Sequence, residues 1–293
     1  MSLWTEMLGI PFEMRYVNVK GVRTRSLRAG SGKPIIFLHG ISGHLEAFMR
    51  TAPAHIAAGF EVHLIDMLGH GFTDKPDVDY TVDRLAQHVV DYMDVHGFDK
   101  ACVTGISMGG WVLGWMLVHH AERVERATMV LAAGIPAMGT PEMSNLVRNS
   151  TTAAVMSDDR EFTRKRLEQV IHNKHLVSEE LIDVRYTIYH QPEFRERLPR
   201  LLKTADTDLY KKYMLDIDSL RRVKCEVLLA WSEEDVYSDV FGAGYYVDNL
   251  LNSKLVVFKD AGHWPPYERP LDFARVNTAF FHKGLGAVEV GTI

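Results

Sequence analysis

The segment Gly105-Ile106-Ser107-Met108-Gly109 sets one serine between two glycines. A short apolar run, residues 101–104, leads into it, and a longer apolar run, residues 108–119, leaves it. A strand, a glycine-flanked serine and a helix together describe a sharp turn that lifts a serine oxygen clear of a sheet. The reason is steric: strand and helix cross closely only if the neighbours are small. Gly105 and Gly109 supply those neighbours, and Gly110 adds room. The oxygen then stands at the positive end of a helix. A serine hydroxyl is a weak nucleophile near neutral pH, so it needs a base, and the base needs an acid to orient it.

For this kind of turn the chain order is serine, acid, histidine. Asp235 follows an apolar run at residues 227–231, and His263 follows another at 255–258. The chain carries 14 histidines, so His263 is chosen by its position beyond a strand end. Asp235 is preferred over Glu233 and Glu234 because it lies furthest into its loop; the other two read as a solvated charge run. A tetrahedral intermediate also needs oxyanion donors. The backbone N–H of Met108 is one. The loop His39-Gly40-Ile41-Ser42-Gly43 supplies the other, and Ile41 N–H is the choice.

These residues must be held by strands. Residues 14–19 and 22–29 read as a hairpin turning at Lys20-Gly21. Apolar runs at 34–38, 61–65, 101–104 and 127–132 fit strands buried on both faces of a parallel sheet. Helical patterns at about 45–58, 82–96 and 108–119 alternate with them, which predicts a doubly wound α/β sheet. The rhythm then breaks. Residues 137–220 hold no strand pattern and read as helices near 159–170, 178–189 and 198–214. Strands resume at 226–231 and 254–258, before a helix at about 270–283 and a frayed tail, 284–293. The expected organisation is a core of residues 1–136 and 221–293, with 137–220 a helical lid inserted after the sixth strand.

Composition excludes several classes. Of the 293 residues, 46% are hydrophobic and 24% charged, as in an ordinary globular chain large enough to need no disulfide or metal staple. A net charge of −5 gives no footprint for nucleic acid. Cys102 and Cys225 sit in apolar runs and read as core thiols. His172 and His175 lack a third ligand nearby, so no metal is expected. No phosphate-binding glycine loop is present, so no cofactor is implied. No leader or membrane-spanning run is visible, so the expected location is cytoplasmic and the expected partner a small-molecule substrate, without nucleic acid or membrane.

The chain resembles the α/β-hydrolase superfamily through His39-Gly40, Asp66-Met67-Leu68-Gly69-His70-Gly71, the serine turn, Asp235 and Gly262-His263. More narrowly, it looks like the meta-cleavage product hydrolases, which cleave a carbon–carbon bond in 2-hydroxy-6-oxo-dienoates. Three stretches carry that likeness. They are Gly109-Gly110-Trp111-Val112 with His120-Ala121-Glu122-Arg123-Val124, the helix from Ser178 to Tyr186, and His263-Trp264 with Tyr267-Glu268. The resemblance implies that Arg185 binds the dienoate carboxylate, that Trp264 lines the same pocket, and that the chain forms a homodimer. From the residues alone, Arg185 is an ordinary charge on a helix.

Two departures stand out. The family pattern has asparagine where this chain has Ile106, and another near Ala47. Losing a polar contact to substrate costs about 1–3 kcal/mol, so the expected pocket, with Ser42, Gly43, Ile106, Arg185 and Trp264 as substrate-binding residues, is more apolar. The leading expectation is therefore a serine hydrolase of carboxylic esters with aromatic or medium apolar acids. The alternative is carbon–carbon hydrolysis of 2-hydroxy-6-oxo-dienoates. A remote alternative is a hydrolase-fold receptor with little turnover. Dehalogenase and epoxide-hydrolase chemistry is disfavoured, because those relatives carry aspartate as nucleophile where this chain has Ser107.

Overall fold

The computed structural model describes residues 2–293. Its strands are β1 (Phe12–Val19), β2 (Val22–Gly30), β3 (Lys33–Leu38), β4 (Phe60–Ile65), β5 (Ala101–Ile106), β6 (Val124–Val130), β7 (Val227–Ser232), β8 (Ser253–Phe258) and β9 (Gly291–Thr292). They form one sheet in the order β1-β2-β4-β3-β5-β6-β7-β8-β9. β1 and β2 run antiparallel to each other, β2 runs antiparallel to β4, and every pair from β4 through β3 to β9 is parallel. The β1–β2 turn is Lys20-Gly21, both with positive φ (46° and 92°), as a two-residue hairpin loop of matching twist requires.

The helices are α1 (Ala52–Ala57), α2 (Val82–His96), α3 (Met108–His119), α4 (Pro141–Met156), α5 (Arg160–Val170), α6 (Glu179–Tyr189), α7 (Pro192–Leu201), α8 (Thr207–Tyr213), α9 (Ile217–Arg221), α10 (Val240–Val247), α11 (Pro265–Glu268) and α12 (Pro270–Lys283). α1 packs on α12 and α2 on α3. Every residue of β4, β5 and β7 is buried, so helices cover both faces of the central sheet. α3 is apolar on nearly every side and lies against β5 and β6. No described helix is long and apolar enough to cross a membrane.

Helices α4 to α9 fill the interval between β6 and β7. Side-chain caps fix their starts: Thr140 for α4, Asp159 for α5, Ser178 for α6, Asp206 for α8 and Asp216 for α9 each accept from a first-turn N–H. Three local expectations are corrected. Residues 45–58 are a short 3-10 turn (Leu45–Phe48) and the separate α1, with Pro53 in its first turn. The stretch at 198–214 divides where Asp206 opens α8. The tail is not frayed throughout: Gly291 and Thr292 pair with Val256 and Val257 along what would otherwise be the exposed edge of β8.

Candidate active site

Ser107 lies between β5 and α3 with φ 54° and ψ −116°, a conformation L-residues rarely adopt. Three contacts hold it there. Its N–H donates to the Val130 carbonyl (2.9 Å), and its own carbonyl accepts from Trp111 N–H and Ala133 N–H (both 3.0 Å). The glycines are obligatory. A Cβ on Gly105 would strike the Gly109 carbonyl, one on Gly109 would strike the Leu38 carbonyl, and one on Gly110 would strike Ala132.

Asp235 and His263 leave the C-terminal ends of β7 and β8 and meet there. His263 Nδ1 donates to Asp235 Oδ1 at 2.9 Å, and Asp235 Oδ2 accepts Ser238 N–H at 2.9 Å. Both side chains are nearly or wholly inaccessible to water. The His263 loop is clamped from below. Glu268 accepts Gly262 N–H (2.9 Å) with one oxygen, and His172 N–H (2.8 Å) and Asn173 N–H (3.1 Å) with the other. Burial raises the Glu268 carboxyl above its ordinary value, and those amide donors work against the rise. His263 N–H in turn donates to the Val170 carbonyl (2.8 Å). Glu268 therefore ties the histidine loop to the end of α5. Glu234 is likewise not a free surface charge; it accepts Ala261 N–H (3.1 Å).

The loop after β3 is set by two buried histidines. Met67 N–H donates to His39 Nε2 (3.1 Å), so Nδ1 carries the proton and donates to the Gly40 carbonyl (2.8 Å). Burial pushes His39 down to about 3, which keeps it neutral. Neither Ile41 N–H nor Met108 N–H has an acceptor among the described residues. Both residues line the cavity at Ser107.

That cavity has two lobes meeting at Ser107. One is lined by Met108, Trp111, Ala133, Met143, Ala205 and their neighbours, and is overwhelmingly apolar. The other is lined by Gly43, Arg166, Arg185, Tyr237, His263 and Trp264 among others. Ile41, Met138 and Val147 border both.

Arg185, on α6, is 1% exposed. Its guanidinium lies 5.0 Å over the Trp264 ring, and its Nη2 has no hydrogen-bond partner among the described residues. Its Nε donates to His44 Nε2 (3.2 Å), so His44 Nδ1 donates to Glu46 (2.8 Å). Burial lowers His44 and keeps it neutral. Glu46 also pairs with Arg25 (2.7 Å), which pairs with Asp66 (2.7 Å). Asp66 accepts Leu45 N–H and Phe72 N–H (both 2.8 Å), and a Cβ on Gly71 would strike its carboxylate. The Asp66-to-Gly71 motif therefore braces the loop after β3 and the support of Arg185.

Among the residues marked in the sequence, the structure gathers Ser107, Ile41, Met108, Gly43, Arg185, His263 and Trp264 around one cavity, with Asp235 behind His263. It does not bring Ser42 or Ile106 there. Ser42 is fully buried, with its hydroxyl 3.1 Å from the Tyr189 hydroxyl, and Ile106 is fully buried at the end of β5. Ala47 is buried too. Neither Ile106 nor Ala47 is among the residues that line the two lobes. Sequence reasoning missed Glu268, Arg166 and Tyr237. For Glu268 a signal existed, as a carboxylate five residues after His263. Among the described residues no group of three or more His, Cys, Asp or Glu could hold a metal ion.

The model of the α/β-hydrolase fold family matches residues 33–270. Relatives agree along nearly the whole chain. A 2-hydroxy-6-oxo-6-(2'-aminophenyl)hexa-2,4-dienoic acid hydrolase of Metapseudomonas resinovorans is 28% identical over 272 residues, covering 92% of this chain and 91% of the relative. A 2-hydroxymuconate semialdehyde hydrolase of Pseudomonas sp. (strain CF600) is 25% identical, covering 89% and 90%. The solved structure of a meta-cleavage product hydrolase from Pseudomonas fluorescens IP01 superposes with a TM-score of 0.77 at 26% identity, covering 92% of this chain and 97% of that one. The chain belongs to the α/β-hydrolase fold family.

Proposed function

We propose that this serine hydrolase cleaves a carbon–carbon bond in 2-hydroxy-6-oxo-dienoic acids, the substrate class that several relatives' names give. The observation that carries this reading is Arg185: a buried guanidinium with an unpartnered Nη2, lining the same lobe as Ser107 and His263. A buried arginine without a carboxylate partner favours an acidic ligand. The ester reading leaned on Ile106 and Ala47, and it loses that support because neither residue lines the cavity.

In this reading the acid end of the substrate sits against Arg185, and the group on the 6-oxo carbon enters the apolar lobe. The enol proton moves to the carbon beside the 6-oxo group, which gives the keto tautomer. His263, oriented by Asp235, takes the proton of Ser107, whose oxygen attacks the 6-oxo carbon. Ile41 N–H and Met108 N–H hold the oxyanion. The carbon–carbon bond breaks, its electron pair stays with the dienoate fragment, and that carbon takes the proton from His263. A water, deprotonated by His263, then hydrolyses the acyl-enzyme and frees Ser107; net, one water is added and two acids leave. Helices α4 to α7 act as a lid that sets substrate choice. Ester hydrolysis uses the same groups and stands as the second reading, favoured by the apolar lobe.

The test is loss of the chromophore of a 2-hydroxy-6-oxo-6-phenyl dienoate, with recovery of benzoate. The expected result is turnover by the wild type and none by Ser107→Ala. Ester turnover without dienoate loss overturns the reading.

A further inference from the structure

Arg166 is the second guanidinium in the polar lobe, and the proposed chemistry has not used it. It lies on α5 and is 4% exposed. Its Nη1 donates to the Tyr237 hydroxyl (2.8 Å), and its Nε has no hydrogen-bond partner. No carboxylate pairs with it among the described residues. The Tyr237 O–H proton has no acceptor among them either. The Arg166–Tyr237 pair thus retains N–H and O–H donors without acceptors, on two residues that line the cavity.

Position separates its task from that of Arg185. Arg185 stands on the Trp264 side, 5.0 Å over that ring. Arg166 stands on the His263 side: its guanidinium is 5.8 Å from the Tyr237 ring centre, and the Tyr237 ring meets the His263 ring edge-on with centroids 4.8 Å apart. Arg185, Tyr237, His263 and Ser107 line this lobe together with Arg166, so a carboxylate held by Arg185 shares one space with the Arg166–Tyr237 pair. The two guanidiniums also disfavour one another in a buried space, since the charge of Arg166 adds to the effect of burial on Arg185. An oxygen-rich ligand between them relieves both.

We propose that Arg166, with Tyr237, binds the oxygen on the carbon next to the substrate's carboxylate, and so selects 2-oxo and 2-hydroxy acids over plain carboxylic acids. The inference rests on the reading of this lobe as the acid-binding side of the site, but it does not need the carbon–carbon reaction to be right.

The experiment is calorimetric binding of 2-oxopentanoate and pentanoate, which differ only in that oxygen, to the wild type, Arg166→Leu, Arg166→Lys and Arg185→Leu. The wild type is expected to prefer the 2-oxo acid by about tenfold or more. Arg166→Leu should erase that preference, weakening 2-oxopentanoate far more than pentanoate. Arg166→Lys should restore part of it, which also covers a leucine variant that fails to fold. Arg185→Leu should weaken both ligands. A wild type without the preference, or Arg166→Leu weakening both ligands equally, overturns the proposal; the second result would make Arg166 a partner of Arg185 on the carboxylate, or a structural residue. Intact preference in a protein that leaves dienoates untouched would retire the reaction and keep this site.

Discussion

The two lobes beside Ser107 are built by different means. The apolar lobe is shaped by side chains from α3, α4 and the segment before α8, whose positions follow from packing. The polar lobe is shaped by hydrogen bonds that reach far across the chain. Arg185 rests on His44, 141 residues away, and Glu268 on His172, 96 residues away. Packing tolerates swaps of similar volume, typically at under about 1.5 kcal/mol. A buried polar network does not: each group left without its partner costs about 1–3 kcal/mol. The polar lobe is therefore the more specific of the two and the more fragile.

The largest expected effect removes what the lobes share. Ser107→Ala should lower turnover of any substrate by about ten-thousand-fold or more, read as single-turnover rates with acid and ester alike; residual rates within tenfold of wild type would place the chemistry elsewhere. Acid comes next, and it acts on the core beneath both lobes. His39 and His70 are pushed by burial down to about 3, and His55, His63 and His88 down to about 4. Unfolded histidine titrates at about 6.5. Below that pH the unfolded chain binds protons that the folded chain refuses. Stability present above about pH 6.5 is thus lost as pH falls toward 4 and then 3, by up to about 1.4 kcal/mol per pH unit for each histidine. Denaturant midpoints at pH 7.5 and 5.5 measure this, and equal midpoints would contradict it.

Glu268→Ala sharpens the contrast further. It strands three amide N–H groups, so a loss of about 2–4 kcal/mol is expected, with kcat reduced more than KM because the His263 loop shifts. A stable variant with wild-type kcat would show that the clamp is not needed. The smallest effect belongs to the apolar lobe. Met143→Trp should reduce kcat/KM by about tenfold for bulky 6-substituents and leave a 6-methyl substrate nearly unchanged. Equal losses on both would mean that this lobe does not hold that end of the substrate.

The lobes also differ in how far the sequence reveals them. Gly105, Ser107 and Gly109 announce their turn because sterics at that crossing allow little else. The runs feeding β3 to β8 are legible because strands buried on both faces must be apolar throughout. α4 was not legible from periodicity, although Thr140-Pro141 is a cap followed by a first-turn proline. The polar lobe was hidden for a different reason. Whether Arg166, Arg185 or Ser42 faces a cavity depends on how α5 and α6 sit over the sheet, and spacing along one helix does not contain that. Ser42 shows this most plainly: it is in the expected loop, but its hydroxyl turns to Tyr189 and away from the substrate space. Ile106 and Ala47 are buried as well and absent from the lining of both lobes.

The most direct measurement compares kcat/KM for a 2-hydroxy-6-oxo-dienoic acid and its methyl ester, in the wild type and in Arg185→Gln. If the polar lobe selects acids, the wild type prefers the acid by about a hundredfold, and Arg185→Gln collapses that preference to within about threefold while turnover of the ester persists. An unchanged preference in Arg185→Gln, or equal loss on acid and ester, would contradict a substrate carboxylate held by Arg185.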